Sequence, residues 1–285
     1  MSDVKEVKLK DNRVISYMEF GDPNGTPMFL FHGWPTSALA GSPNHQAALK
    51  THIRLICPER PGYGASTLKP ERTMLDWAND VAEIAEQLGF TTFSVLGVSG
   101  GGPYALACAY KLPHLISKAY IVCSILNLND LRTHQIQTAG LLRILLSMSK
   151  NSKTFVKVTL HTLKLLVDRS NSMAFSLIDK KIPERDHLAL GGINAPQNFN
   201  ENIKRGLSQG IVGAEQDIKI YTNDWGFDLA DIKIPIAVWH GTHDTLTPTS
   251  FAQYLHNKIP HSTLNIIEGE GHFIAINQFE KIVSS

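Results

Sequence analysis

Between a stretch that reads as a strand, Thr92 to Leu96, and one that reads as a helix, Gly101 to Lys111, the chain passes through Gly97-Val98-Ser99-Gly100-Gly101. No other feature restricts the possible folds as much. A strand can turn directly into a helix only if the turn residue accepts strained backbone angles and its neighbours let the two elements approach closely. Gly97 and Gly101 meet that need. They would leave the Ser99 hydroxyl raised at the turn, beside the free N–H groups and positive dipole end of a helix.

The surrounding pattern is an alternation of strands and helices. Glu6 to Lys10 and Val14 to Glu19 read as an antiparallel edge hairpin with Asp11-Asn12 at its turn. Met28-Phe29-Leu30-Phe31 is a continuous apolar run suited to a strand buried on both faces. A helix near Gln46 to Lys50, a strand at Ile53 to Cys57 and a helix at Thr73 to Leu88 come next. In that last helix Leu75, Val81, Ile84, Ala85 and Leu88 form the expected apolar face, with Asp76, Asp80, Glu83 and Glu86 opposite and Gly89 as terminator. A strand at Ala119 to Cys123 continues the alternation, which resumes at Ile236 to His240, Thr249 to Asn257 and Thr263 to Ile267, with a last helix after His272. Strand, helix, strand in series implies an α/β fold with a mostly parallel sheet covered on both faces. Between Leu128 and Trp225 the strand signal vanishes, and segments such as Thr138 to Met148 and Phe155 to Val167 read as an inserted helical region.

The 27 Lys and Arg nearly cancel 26 Asp and Glu, so the chain as a whole has no field to attract nucleic acid. Cys57, Cys108 and Cys123 are three in number and lie in apolar stretches, which suits buried thiols rather than a disulfide framework or metal site. Met1 to Lys10 is charged throughout, and no apolar run approaches the roughly 20 residues of a membrane span. A cytoplasmic location without stable membrane insertion is expected.

A serine hydroxyl is a weak nucleophile and needs a base, which in turn needs an orienting acid. Two later segments offer them. His240-Gly241-Thr242-His243-Asp244 and Gly269-Glu270-Gly271-His272 each come directly after a predicted strand, at the carboxyl edge where sites gather in open parallel sheets. His272 is the candidate base and Asp244 the candidate acid, with Asp130 the alternative acid. Among twelve histidines His243 is the nearest competitor, but it precedes Asp244 in the same loop and could not readily both bond that carboxylate and reach Ser99. An oxyanion would need two N–H donors, expected from Gly100, next after the serine, and from Trp34 in the loop His32-Gly33-Trp34-Pro35.

These residues together resemble the α/β-hydrolase superfamily over nearly the whole chain. The His-Gly-x-Pro loop at His32 to Pro35, Pro-Gly-Tyr-Gly-x-Ser at Pro61 to Ser66, the serine turn, Gly-x-x-Asp at Gly241 to Asp244 and the pair Gly271-His272 occur in family order. The resemblance implies an eight-stranded, mostly parallel sheet with helices on both faces. It also implies a core formed by residues 1–127 and 226–285, with residues 128–225 a helical cap inserted after the sixth strand. Ser99, Asp244 and His272 would be the catalytic triad, Trp34 and Gly100 the oxyanion hole, with His32, Gly33, Gly97 and Gly101 supporting them. Neither a metal nor an organic cofactor is implied. Epoxide hydrolases and dehalogenases share the His-Gly-x-Pro loop but use an aspartate nucleophile where this chain has Ser99, and the expected cap has Tyr221 as its single tyrosine.

The expectation is therefore a serine hydrolase acting on a small-molecule carboxylic ester through an acyl-enzyme. Proline-iminopeptidase-like amide hydrolysis is the alternative, with Glu184, Glu201 or Glu215 to hold an amino group, and lactone hydrolysis ranks after it. Hydroxynitrile-lyase-like chemistry stands further off, and a non-catalytic small-ligand receptor is the reading from another class. Arg132, Arg143, Lys150, Lys153, Lys157, Lys164 and Arg169 are interspersed with leucines and other apolar residues. Such helices could make a weak interfacial contact with lipid, but the favoured reading has their apolar faces covering the site.

Overall fold

The computed structural model describes residues 3–127, 130, 152–170 and 172–285. Its centre is one eight-stranded sheet in the order β1-β2-β4-β3-β5-β6-β7-β8. The strands are β1 (Lys5–Lys8), β2 (Val14–Gly21), β3 (Thr26–Phe31), β4 (Ile53–Pro58), β5 (Phe93–Val98), β6 (Ile116–Val122), β7 (Ile236–Gly241) and β8 (Ser262–Ile267). Only β2 runs against its neighbours; the pairings from β4 through β8 are parallel. The hairpin β1–β2 does form one edge, and Asn12 takes the left-handed φ of 69° that its turn requires.

Strand periodicity explains why the central strands are apolar throughout. Successive side chains point to opposite faces, and in β3 Phe29 and Phe31 enter one core layer while Met28 and Leu30 enter the other. The first layer joins them to Trp77 and Tyr104, the second to Trp239 and Phe279. The layers are covered by α1 (His45–Lys50), α2 (Met74–Gln87), α3 (Gly102–Lys111), α8 (Thr249–Lys258), α9 (Ile274–Asn277) and α10 (Phe279–Val283). Beyond His272 the chain thus forms two short helices instead of one. Thr73 and Asp76 close a reciprocal capping box at the start of α2, and Gly89 (φ 76°) stands just past its end.

Two local expectations change. Asp80 does not face solvent: it is 2% exposed and its carboxylate bonds Arg13 Nη1 at 2.8 Å. The hairpin lies over that side of α2, and the arginine it supplies makes burial of the aspartate tolerable. Cys123 lies just beyond β6 with φ 47°, and all three cysteines are buried and free.

Between β6 and β7 the described residues form helices α4 (Lys153–Arg169), α5 (Glu184–Ala189), α6 (Ala195–Gly206) and α7 (Val212–Thr222) with short 3-10 turns, and no strand. The expected helix at Thr138 to Met148, with Arg132, Arg143 and Lys150, lies outside the described residues. In α4 Val156, Leu160 and Val167 are buried, Val158 and Leu165 are exposed, and Lys164 pairs with Asp168 at 2.7 Å. Two helical glycines seat this segment against the core. A Cβ on Gly206 would come within 2.5 Å of Pro35 O, and one on Gly213 within 2.5 Å of Gly62 O. Among the described residues no helix is long and apolar enough to cross a membrane.

Candidate active site

Ser99 is the first residue after β5 and takes a φ of 53°, a left-handed conformation that a non-glycine residue adopts only under constraint. The constraint is visible in its neighbours. A Cβ on Gly97 would lie 2.6 Å from Gly101 O, and one on Gly101 would lie 2.0 Å from Phe31 O, so the turn closes only with glycine at both positions. One 3-10 turn, Ser99–Gly101, then leads into α3.

The loop after β3 lies alongside. A Cβ on Gly33 would be 3.5 Å from Ser99 Cβ, and one on Gly100 would be 3.0 Å from the Trp34 nitrogen, which puts the Trp34 backbone beside Gly100. The Trp34 N–H has no hydrogen-bond partner among the described residues. The loop itself is held: the Trp34 indole donates to Ala214 O of α7 at 2.9 Å, and Arg60 Nη1 donates to His32 O at 2.6 Å. The Trp34–Pro35 peptide is cis. His32 is wholly buried, with Nδ1 2.9 Å from Gly33 O, and burial together with Arg60 keeps its pKa well below the ordinary histidine value.

Asp244 and His272 come together from the loops after β7 and β8, with His272 Nδ1 2.8 Å from Asp244 Oδ2. The Asp244 carboxylate, fully buried, also accepts from Leu246 N at 2.8 Å, Thr247 N at 2.9 Å and Thr247 Oγ1 at 2.8 Å. Burial would raise its pKa, but His272 and His240 outweigh that and hold it well below the usual carboxylate range. For His272 burial works downward, and the attraction and hydrogen bond of Asp244, with Asp186 adding to them, carry the net shift upward. Cys123 Sγ joins Asp244 and His272 in a cluster of potential metal donors within 4.8 Å of one another, the one such cluster among the described residues. Its carboxylate is already engaged by the hydrogen bonds above.

Ser99, His272, Trp34 and Gly100 border one cavity of about 290 Å³, with Leu163, Phe199 and Ile203 of the helical segment among its other walls. No carboxylate lines it among the described residues. Glu184, Glu201 and Glu215 are not on its walls; Glu201 accepts instead from Gln197 at 2.7 Å, and Glu215 faces Lys157 at 3.9 Å. The His243 side chain is exposed. Asp130 stands by the Tyr254 hydroxyl, which burial and this carboxylate push up to about 12.

Two groups at the site were not foreseen. Asp186 of α5, wholly buried, accepts from the backbone N–H of His272 at 2.9 Å and of Phe273 at 3.0 Å. A Cβ on Gly271 would fall 2.2 Å from its Oδ2, so the glycine before His272 makes room for it. Asp217 of α7 is the centre of a buried network. It accepts from Arg60 Nε at 3.0 Å, Tyr63 OH at 2.7 Å, Tyr104 OH at 2.5 Å and Arg72. Burial alone would raise the Asp217 pKa; the two guanidiniums reverse this and keep it far below the usual range. Tyr221 of the same helix donates to Gly100 O at 2.9 Å, tying the network to the residue after Ser99. Nothing in the spacing of these residues marks them, although Arg60 adjoins the Pro61 to Ser66 stretch.

A family model described as the alpha/beta hydrolase fold matches residues 26–278. The chain is 25% identical over 279 residues to (E)-2-((N-methylformamido)methylene)succinate hydrolase of Acinetobacter baylyi, covering 98% of this chain and 94% of that protein. It is 31% identical over 121 residues to the bifunctional esterase/perhydrolase of Acinetobacter calcoaceticus, covering 42% of this chain and 44% of that one. Among solved structures it is similar to a bromoperoxidase from Bacillus anthracis, with a TM-score of 0.73 at 20% identity and 99% and 98% of the two chains covered. At that identity the likeness speaks for the fold alone.

Proposed function

The chain belongs to the alpha/beta hydrolase family, and from that premise we propose that it is a serine hydrolase cleaving a small-molecule carboxylic ester. The observation that carries the reading is the placing of Ser99, on its strained turn, and His272, bonded to a buried Asp244, on the wall of one cavity. An apolar cavity without a carboxylate favours an ester over a substrate whose free amine must be held.

In this reading His272 Nε2 takes the Ser99 proton as Oγ attacks the ester carbonyl carbon. Nδ1, facing Asp244, keeps its own proton, and the carboxylate stabilises the imidazolium that forms. The N–H groups of Trp34 and Gly100 receive the oxyanion, each worth about 3 kcal/mol in the transition state. The tetrahedral intermediate then expels the alkoxide, which takes the proton back from His272 and leaves an acyl group on Ser99. Water, deprotonated by the same imidazole, attacks that carbonyl, and the second tetrahedral intermediate releases the acid as Ser99 Oγ leaves and takes the proton back from His272. The unengaged Trp34 N–H suits this role, since a donor already satisfied would have to break one bond to make another.

The test is turnover of a chain-length series of p-nitrophenyl esters, with a prolyl anilide and a lactone alongside, by the native chain and Ser99→Ala. Ester turnover that falls at least about a thousandfold in the variant is expected. Turnover of the anilide or lactone alone would move the reading to those bonds. No turnover, with no labelling of Ser99 by a fluorophosphonate, would overturn it in favour of a binding protein.

A further inference from the structure

The cavity wall holds a buried polar group that the chemistry above does not use. Asn44 is 2% exposed, and its Oδ1 is enclosed without a hydrogen-bond partner. Among the described residues it is the one that both borders this cavity and has a buried side-chain atom without a hydrogen-bond partner. Its chain position makes the lack of a partner informative. Asn44 ends the 3-10 helix Ala38–Asn44 and stands as N-cap of α1, where an asparagine normally spends its side-chain oxygen on the helix's own N–H groups. Here the backbone is helical (φ −85°, ψ −2°) and the side chain makes no capping bond.

Of the other polar residues on the wall, Lys181 and Thr245 are exposed and have no side-chain partner among the described residues, while others are committed within the protein. Thr36 Oγ1 donates to Gly33 O at 3.0 Å, Asn202 Oδ1 accepts from Ser37 N at 2.9 Å, and Tyr221 OH donates to Gly100 O at 2.9 Å. Ala40 and Pro43, of the same 3-10 helix as Asn44, line the cavity with it and are apolar. A carboxamide in such surroundings carries an uncompensated desolvation cost unless something in the cavity bonds it.

We propose that Asn44 is a specificity-determining residue, and that the substrate carries a neutral hydroxyl on its acyl or alcohol chain which bonds the Asn44 amide. A hydroxyl both donates and accepts, so it satisfies the carboxamide whichever way that group is turned. A carboxylate would be drawn to the Lys181 cation rather than to a neutral amide and offers no hydrogen to Oδ1, and an ammonium would find no carboxylate on the wall. The cavity, near the lower end of the roughly 300–1,000 Å³ usual for small-molecule sites, limits the partner to a small ester.

The inference deepens the ester reading and rests on it for the word substrate, but its test needs no catalysis. Ethyl hexanoate and hexyl acetate would be titrated into Ser99→Ala by calorimetry, each against forms with one hydroxyl walked along the chain. At least one hydroxylated ester is expected to bind roughly tenfold more tightly than its parent. That gain should vanish in Asn44→Leu and in Asn44→Ala, two variants of different bulk, each checked for cooperative melting. No hydroxylated ester exceeding its parent by more than about twofold, or a gain that survives both substitutions, would overturn the proposal. Ester turnover without the hydroxyl gain would sink this inference and leave the hydrolase standing; the gain without turnover would do the reverse.

Discussion

At the scale of single residues, the proposed chemistry makes sharply unequal demands on carboxylates that look alike in sequence. Asp244→Asn should lower kcat by about ten-thousandfold while leaving the fold intact, because an amide cannot hold the imidazole in the required tautomer. Asp130→Asn should leave the rate within about twofold, since that carboxylate stands by Tyr254; steady-state rates on one ester compare the two. Asp186 falls between them, as a positioning residue. Its asparagine variant cannot accept both the His272 and Phe273 N–H groups, so kcat should drop about tenfold. The base must be neutral to act, so kcat/KM rises as pH passes upward through the His272 pKa. That pKa is lowered by burial and raised more by Asp244 and Asp186, so removing the Asp186 charge should move the acid limb to lower pH. A purely structural defect would lower the profile without shifting it. Ser99, Asp244 and His272 could be singled out in the sequence because each lies in a glycine-marked turn at a strand end. Asp186 could not, since it sits on a short helix 86 residues from the N–H it serves.

The same contrast holds for whole elements. β3 could be read as a doubly buried strand because its unbroken apolar run permits little else, and its residues do divide between two core layers. Helix α2 could be read from its period, yet the fate of Asp80 depended on a hairpin distant in sequence that brings Arg13 to it. How α6 and α7 sit on the core was less legible still, because glycines inside helices carry no signal of what they touch. Their role sets the sign of a prediction. Replacing a helical glycine by alanine ordinarily stabilises by up to about 1 kcal/mol. At Gly206 the added methyl would meet the Pro35 carbonyl, which is backbone and cannot rotate away. Gly206→Ala should therefore destabilise by about 1–3 kcal/mol in urea unfolding, and kcat should fall with it, because Pro35 continues the loop that carries Trp34.

Over the whole molecule, Asp217 joins parts that the chain keeps far apart. Arg60 and Arg72 come from loops of the sheet region, Tyr104 from α3, and the carboxylate that compensates both guanidiniums from α7. Removing that charge alone strands two buried cations, so Asp217→Asn should destabilise by about 3–5 kcal/mol. Calorimetric melting should show the loss in one transition, and separate melting of the helical segment at unchanged stability of the sheet region would contradict it. A further consequence concerns how such a chain can be recombined. The compensating charge is written in the helical segment between β6 and β7 and the charges it compensates are written in the sequence ahead of it, so a crossover after β6 parts them. A graft exchanging residues 128–225 for those of a relative would succeed only if the donor brought its own acid to the position of Asp217. Swapping libraries built on this scaffold should return viable members sorted by that one inherited residue.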